Sequence, residues 1–231
     1  MFTIHESAMQ LLVPLYNGPD RHYHNINHIY YCINKLQEYE YHTVDNPDLI
    51  TAVTYAIWFH DAIYSPYPVP PKDNYLNGPH SNEVKSVELF YSWITTAMNK
   101  INKIDHIGND QHAGPWIKLD GNKIFSSVVD TAIKNTEFHL YDLDNIERPT
   151  QVMLDCDLVG LAKPLSLVLK DGDNIFKEYE CTGITREQYD INRREFLSKL
   201  LNRKSILYTD YFHETYEKQL RDNLEAIIEL T

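Results

Sequence analysis

NPDLITAVTYAIWFHD, residues 46–61, is the stretch of sequence that decides the fold. Asn46 followed by Pro47 offers a helix cap and a first helical residue. Apolar residues then recur at the three- and four-residue spacing of an α-helix, up to a histidine–aspartate pair. The stretch therefore predicts a helix that begins near Pro47 and is closed by His60 and Asp61.

Helical spacing recurs through the rest of the chain, whereas strand signals are few. It predicts helices from about His24 to Tyr39, from Ser81 or Asn82 onward, from Lys123 to about His139, after Pro149, after a capping Thr185, and at the C-terminus. Two stretches read as loops, the proline-rich segment Pro66–Pro79 and the polar segment Asn99–Asn122. We expect one all-α domain with a core at about residues 20–165 and a helical C-terminal extension over about 166–231.

Composition narrows the classes of partner. The 231-residue chain is 43% hydrophobic, which is typical of a globular protein. Its formal net charge of -12 argues against binding to nucleic acid polymers or anionic membranes, which recruit basic patches. The three cysteines lack metal-ribbon spacing, and we find neither an export signal nor a membrane span. We expect a cytoplasmic protein, and the oligomeric state stays open.

Histidines and aspartates recur in three of the predicted helical stretches. They are His24 and His28 in YHNINH, the pair His60-Asp61 in WFHD, and two aspartates in LDCDL, Asp155 and Asp157. Mixed nitrogen and oxygen ligands suit a divalent ion such as Zn, Mn, Fe, Ni or Co better than calcium, and Mg is also compatible with the carboxylates. The pattern predicts a divalent metal site whose ion is not identified by the sequence.

Such a site suits hydrolysis. A divalent ion lowers the pKa of a bound water and polarises a phosphoryl oxygen, so that only an acid for the leaving group is still needed. His24 is our candidate acid, because helical spacing places it one turn before His28 and imidazole titrates near neutral pH. Asp61 is expected to serve catalysis as well as metal binding.

The order of these residues resembles the HD-domain superfamily of metal-dependent phosphohydrolases. Within it, RHYHNINHI, AIWFHDAIY, NEVKS, the segment Thr136–His139, LDCDLVGLA and ITREQY resemble a bacterial group of predicted hydrolases. The resemblance covers most of the chain, and its histidine–aspartate core is the specific part. It implies an HD-type helical bundle with additional C-terminal helices.

The YHNxxH piece is also similar to the opening motif of cyclic nucleotide phosphodiesterases. That resemblance implies that His24 protonates the leaving oxygen and that His28 binds metal. The HD resemblance implies that His60, Asp61 and a late aspartate before a leucine are ligands, which favours Asp157, with Asp155 as an alternative or supporting residue. No counterpart of the phosphodiesterases' glutamine-centred base site is visible, so cyclic nucleotide specificity does not carry over.

Several further residues have two readings. Asn82 and Glu83 match the NE piece of the resembled group and are candidates for substrate binding, although they also suit a helix start. His139 is a candidate for substrate or second-metal binding, or a surface histidine. A basic cluster suits phosphate, although such runs are usually solvated helix faces; it comprises Arg186, Arg193, Arg194, Arg203 and Lys204.

Three functions follow from this reading. The first is a metal-dependent hydrolase of a small phosphorylated substrate, possibly a nucleotide. The second is a di-iron oxygenase on the same scaffold, which would need extra histidine ligands such as His139. The third is a noncatalytic module that binds metal and a nucleotide without turnover.

Overall fold

The computed structural model of the protein describes residues 4–66, 81–105, 122–138 and 145–230. Within these ranges the fold is all-α, with no strand. The helices are α1 (Glu6–Tyr16), α2 (Ile26–His42), α3 (Pro47–Phe59), α4 (Asn82–Asp105), α5 (Asn122–Asn135), α6 (Arg148–Leu158), α7 (Leu165–Tyr179), α8 (Arg186–Leu201) and α9 (Asp210–Leu230). The all-α prediction is confirmed.

Helix α3 lies at the centre of the molecule. Asn46 caps it by accepting a hydrogen bond from the Asp48 backbone N–H, and His60 occupies its C-cap position, as predicted. Every residue from Ala52 to Phe59 is buried, because α2, α4, α5 and α6 all pack against this helix. The apolar pattern of the sequence predicted a single buried face, whereas α3 is buried all round, as a core helix is.

The C-terminal helices close over the same core. One continuous cluster of buried apolar side chains runs from Ile4 in the N-terminal segment to Ile227 in α9. Helix α9 packs against α2, α7, α8 and the 3-10 turn Val159–Ala162 that follows α6. Helix α7 also packs against this turn, which directly follows the aspartates of LDCDL, and α8 packs against α9.

Some predicted boundaries were wrong. Helix α2 begins at Ile26 and not at His24, because Asn25 takes the N-cap position and its side chain accepts the Asn27 N–H. Helix α4 continues to Asp105, so the predicted loop from Asn99 does not begin there. Residues 67–80, most of the proline-rich segment, and 106–121, most of the polar one, lie outside the described residues.

Helices α5 and α6 agree more closely with the prediction, although α6 begins at Arg148 and not after Pro149. The predicted helix from Lys123 ends at Asn135 and is followed by a 3-10 turn, Thr136–Phe138. His139 lies outside the described residues. Thr185 caps α8 by accepting the Gln188 N–H at 3.2 Å, and the predicted C-terminal helix is α9. Within the described residues, no helix is long and apolar enough to cross a membrane.

Candidate metal centre

Three helices bring the candidate ligands together. His28 lies in the first turn of α2, His60 and Asp61 follow the last residue of α3, and Asp157 lies near the end of α6. Helices α2, α3 and α6 pack pairwise on one another. The ligand residues therefore converge from three elements of the core, and their spacing is fixed by core packing.

The four side chains are spaced as ligands of one ion. The Nε2 atom of His28 lies 3.3 Å from Nε2 of His60, 3.1 Å from Oδ1 of Asp157 and 3.6 Å from Oδ2 of Asp61. The Nε2 atom of His60 lies 3.0 Å from the same Asp61 oxygen and 3.6 Å from the same Asp157 oxygen. Ions with bonds of about 2.0–2.2 Å to nitrogen and oxygen hold neighbouring ligand atoms roughly 3.0–3.5 Å apart. The donor set therefore fits a divalent metal.

A backbone contact fixes the orientation of His60. Its Nδ1 atom lies 2.8 Å from the carbonyl oxygen of Ile57, one turn earlier on α3, and so donates its proton there. Nε2 is then the nitrogen that faces the cluster. An outer N–H bound to a backbone carbonyl is the usual support of a metal-binding histidine.

The electrostatics of the cluster favour a positive charge. Burial alone would lower the pKa of His60, but the carboxylates of Asp61 and Asp157 outweigh burial and raise that pKa well above its ordinary value. Burial would raise the pKa of Asp61, but the positive charge of His60 lowers it below its usual range. Two carboxylates beside two buried imidazoles attract either protons or a cation.

Cys32 is the other potential donor near His28. Its Sγ atom lies 3.8 Å from Nε2 of His28, and His28, Cys32 and Asp157 form a second group within metal-binding reach. Burial, and then the charge of Asp157, raise the pKa of the Cys32 thiol well above its ordinary value. Because the thiolate is the form that binds metals, the set with His60 and Asp61 is the better fit.

Asp155 does not join this cluster. It is fully buried, and its two carboxylate oxygens accept the backbone N–H groups of Tyr208 at 2.7 Å and Thr209 at 2.8 Å. Burial raises its pKa to about 7, although these hydrogen bonds act in the opposite direction. The assignment of Asp155 as a metal ligand is therefore corrected: it ties α6 to the segment before α9.

His24 lies beside the cluster but not on α2. It precedes the Asn25 cap, so the predicted helical turn between His24 and His28 is wrong, yet the two rings are 6.1 Å apart between centroids. Its ring stacks on the ring of Tyr64, which follows the histidine–aspartate pair in the sequence, with 4.1 Å between the ring centroids. His24 therefore lies close to His28, as predicted, but it is positioned by the segment before α2 and not by the helix itself.

Glu178 on α7 fixes the ring of His24, although no sequence pattern indicated this residue. Its buried carboxylate lies 2.6 Å from Nδ1 of His24 and accepts the backbone N–H groups of Tyr23 at 2.7 Å and His24 at 2.9 Å. Burial alone would lower the pKa of His24, but the charges of Asp61 and Glu178 raise it above its ordinary value. With Nδ1 on Glu178, Nε2 is the nitrogen left for a bound molecule.

Arg21 holds the two halves of the site together. Its guanidinium donates to the carbonyl oxygens of His24 at 3.0 Å, Asp61 at 2.8 Å and Ala62 at 3.0 Å. It also lies over the ring of Tyr64, 5.4 Å from its centroid. Arg21 thereby connects the segment before α2 to the turn after α3. Its place directly before HYHN is the sequence signal that could have indicated it.

A cavity of about 560 Å³ opens over the cluster. His24, Asp61 and Asp157 lie at one part of its wall, and α7 and α8 supply another part with aromatic and aliphatic side chains, among them Tyr179, Tyr189 and Phe196. The volume is within the range of small-molecule sites. The cluster of candidate ligands is therefore accessible to a small molecule.

Asn82 and Glu83 both line this cavity. The side-chain amide of Asn82 pairs with the backbone of Ser65, accepting its N–H at 3.1 Å and donating to its carbonyl at 3.0 Å. Ser81, not Asn82, caps α4, because its hydroxyl accepts the Val84 N–H at 3.3 Å. Asn82 thus anchors the segment after Asp61, and Glu83 lies in the wall of the cavity.

Comparisons with protein-family models, with curated proteins and with solved structures find no match to this chain. The resemblance to the HD superfamily therefore rests on the residues quoted above and stays a prediction. The geometry of the site is the independent basis for a functional argument.

Proposed function

We propose that this protein is a metal-dependent hydrolase of a small phosphate ester. The observation that carries the proposal is the set of five cross-distances of 3.0–3.6 Å among the ring nitrogens of His28 and His60 and the carboxylates of Asp61 and Asp157. This spacing suits one divalent ion of the Zn, Mn, Fe, Ni, Co or Mg group. The three free cysteines suit a cytoplasmic location.

The four ligand residues would hold the ion at the base of the cavity. When bound, a divalent ion supplies a nucleophile from water at neutral pH and polarises a phosphoryl oxygen. His28, His60 and Asp157 would hold the ion and fix its position. Asp61 would be the fourth ligand, and its side chain also lines the cavity. Glu83, in the same wall, would orient the substrate.

His24 would donate the proton that the leaving group needs. Its raised pKa, caused by Asp61 and Glu178 against the effect of burial, keeps the imidazolium form available near neutral pH. Glu178 fixes the ring by accepting from Nδ1, and Tyr64 packs on its face, so that Nε2 delivers the proton. Substrate, ion and acid then occupy one accessible cavity.

The test is a turnover screen of phosphomonoesters, cyclic nucleotides and nucleoside triphosphates, each with several divalent ions. We expect hydrolysis of at least one class and loss of about a hundredfold or more in His60→Ala and Asp61→Ala. His213→Ala is the matched control, because His213 is half-exposed on α9 away from the cavity. No turnover by the wild type, or equal rates in His60→Ala and the wild type, would overturn the proposal.

A further inference from the structure

The cavity over the metal centre is acidic. Four carboxylates line it, those of Asp61, Glu83, Glu137 and Asp157. Arg193 on α8 is the one lysine or arginine among its described lining residues. Since anionic groups are repelled by carboxylates, an anionic substrate can place its charges at the ion, beside His24 when it is protonated, and at Arg193.

Among the described residues, Arg193 has no carboxylate that neutralises it, unlike Arg186. Arg186, on the same helix, pairs with Asp173 at 2.7 Å and Asp190 at 2.8 Å. Within the described part of the chain, the polar contact of Arg193 is the hydroxyl of Tyr189, at 3.4 Å from its Nη1 atom. Its guanidinium is therefore available to a ligand, and guanidinium groups bind phosphate and carboxylate in two-pronged fashion.

The absence of a side chain at Gly172 on α7 leaves room for this guanidinium. A Cβ atom added at Gly172 on α7 would come within 2.9 Å of Cζ of Arg193. The Tyr189 hydroxyl that contacts Arg193 donates to the Gly172 carbonyl at 2.9 Å. Gly172 and Tyr189 thus hold the guanidinium against α7, while Arg193 also lines the cavity.

We propose that Arg193 binds a second anionic group of the substrate, so that the substrate is a phosphate ester whose leaving group carries another phosphate or a carboxylate. The inference rests on the proposed function, since it places the first phosphate at the metal centre. The stretch of wall with Tyr179, Ile184 and Phe196 is apolar and aromatic, and it suits a ring or hydrocarbon part of the leaving group.

The test measures binding of matched probes to the manganese-loaded full chain. One pair is phenyl phosphate and 4-carboxyphenyl phosphate, and a longer pair is adenosine 5′-monophosphate and adenosine 3′,5′-bisphosphate. In at least one pair we expect the extra anionic group to tighten binding by about tenfold to a hundredfold in the wild type, the usual effect of a charge-assisted hydrogen bond. Arg193→Met should abolish that gain, and Arg194→Met, at an exposed position outside the cavity, should keep it.

Gly172→Ala is the second variant. Alanine favours the helix, and the atom it meets is the end of a flexible side chain, so the fold should stay intact while the guanidinium is displaced. We expect a reduced gain from the extra anionic group with no loss of thermal stability. A gain that Arg193→Met leaves unchanged, or no gain in either pair, would overturn the inference. Absence of turnover with an arginine-dependent gain would instead count against the proposed hydrolysis alone.

Discussion

The carboxylate of Glu178 lies 2.6 Å from Nδ1 of His24, across 154 positions of the chain. The same carboxylate accepts the backbone N–H groups of Tyr23 and His24, so it fixes both the ring and the segment that carries it. Helix α7 of the C-terminal extension thereby sets the orientation of the proposed acid. The extension is part of the site and not an appendage to it.

Replacing Glu178 by Gln should slow hydrolysis according to the leaving group. Alkyl phosphates need a proton on the departing oxygen, so their kcat should fall by about a hundredfold, within the usual contribution of a general acid. 4-Nitrophenyl phosphate, which releases a stable phenolate, should lose only a few-fold. Rates on both esters are measured at equal metal content, with exposed Glu180→Gln as the control. Equal losses on both esters would reduce Glu178 to a structural residue.

The two aspartates of LDCDL should give opposite phenotypes. Asp157→Asn should lose bound metal and keep its stability, because Asp157 faces the histidines. Asp155→Asn should keep its metal and lose about 2 kcal/mol of unfolding free energy, because an amide cannot accept both the Tyr208 and Thr209 N–H groups. Elemental analysis and urea unfolding of the two variants decide this. Metal loss in Asp155→Asn without destabilisation would reverse the assignment.

Arg21→Met should weaken metal binding although it changes none of the proposed ligand side chains. The substitution removes three hydrogen bonds to the carbonyl oxygens of His24, Asp61 and Ala62. Supporting residues of this kind contribute about 10–100-fold to metal affinity. Titration of the metal-free protein with Mn²⁺ measures the change, and Arg194→Met again serves as the exposed control. Unchanged affinity would show that the helices alone fix the ligand positions.

We expect Glu38 to contribute to the stability of the fold in a pH-dependent way. Burial would raise its pKa, but hydrogen bonds from Lys35, Tyr216 and Tyr211 lower it below the ordinary value. These contacts join α2 to α9. Because the folded-state pKa is depressed, the stabilisation is fully present above the ordinary glutamate pKa, about 4.3, and is lost as the pH falls through the folded value.

In metal-free protein, Glu38→Gln should therefore cost about 1 kcal/mol of unfolding free energy at neutral pH and much less once the pH is below the folded-state pKa of Glu38. This loss of unfolding free energy is small because the Glu38 side chain is 32% exposed to solvent. Urea unfolding across the pH range measures it, with exposed Glu40→Gln as the control. A difference between wild type and variant that stays constant with pH would contradict the assignment.

Local signals in the sequence predicted much of the fold and part of the site. Asn46 and Thr185 cap their helices through their own side chains, which is information contained within a few residues. The candidate ligands His28, His60 and Asp61 could be predicted for the same reason, because each lies near the start or the end of a predicted helix. The end of α4 was missed because its polar residues resemble a loop.

The remaining features depend on long-range packing. Asp155 and Asp157 lie two positions apart on α6, about 200° around the helix, so only one of them can face α2 and α3. Which one does so depends on the segment before α9, because its Tyr208 and Thr209 N–H groups donate to the carboxylate of Asp155. Glu178 reaches His24, and Arg193 reaches the cavity, because α7 and α8 fold back over this side of the core. No pattern within these helices indicates that.

The metal content of the purified protein tests the central claim most directly. After loading with Mn²⁺ or Zn²⁺ and removal of free ion, elemental analysis should find about one tightly bound ion per wild-type chain, since both imidazoles lie within 3.6 Å of each other and of an oxygen of each carboxylate. His60→Ala should bind none under the same conditions, and His213→Ala should match the wild type. A wild-type chain that retains no ion, or a His60→Ala chain that retains as much as the wild type, would contradict the account.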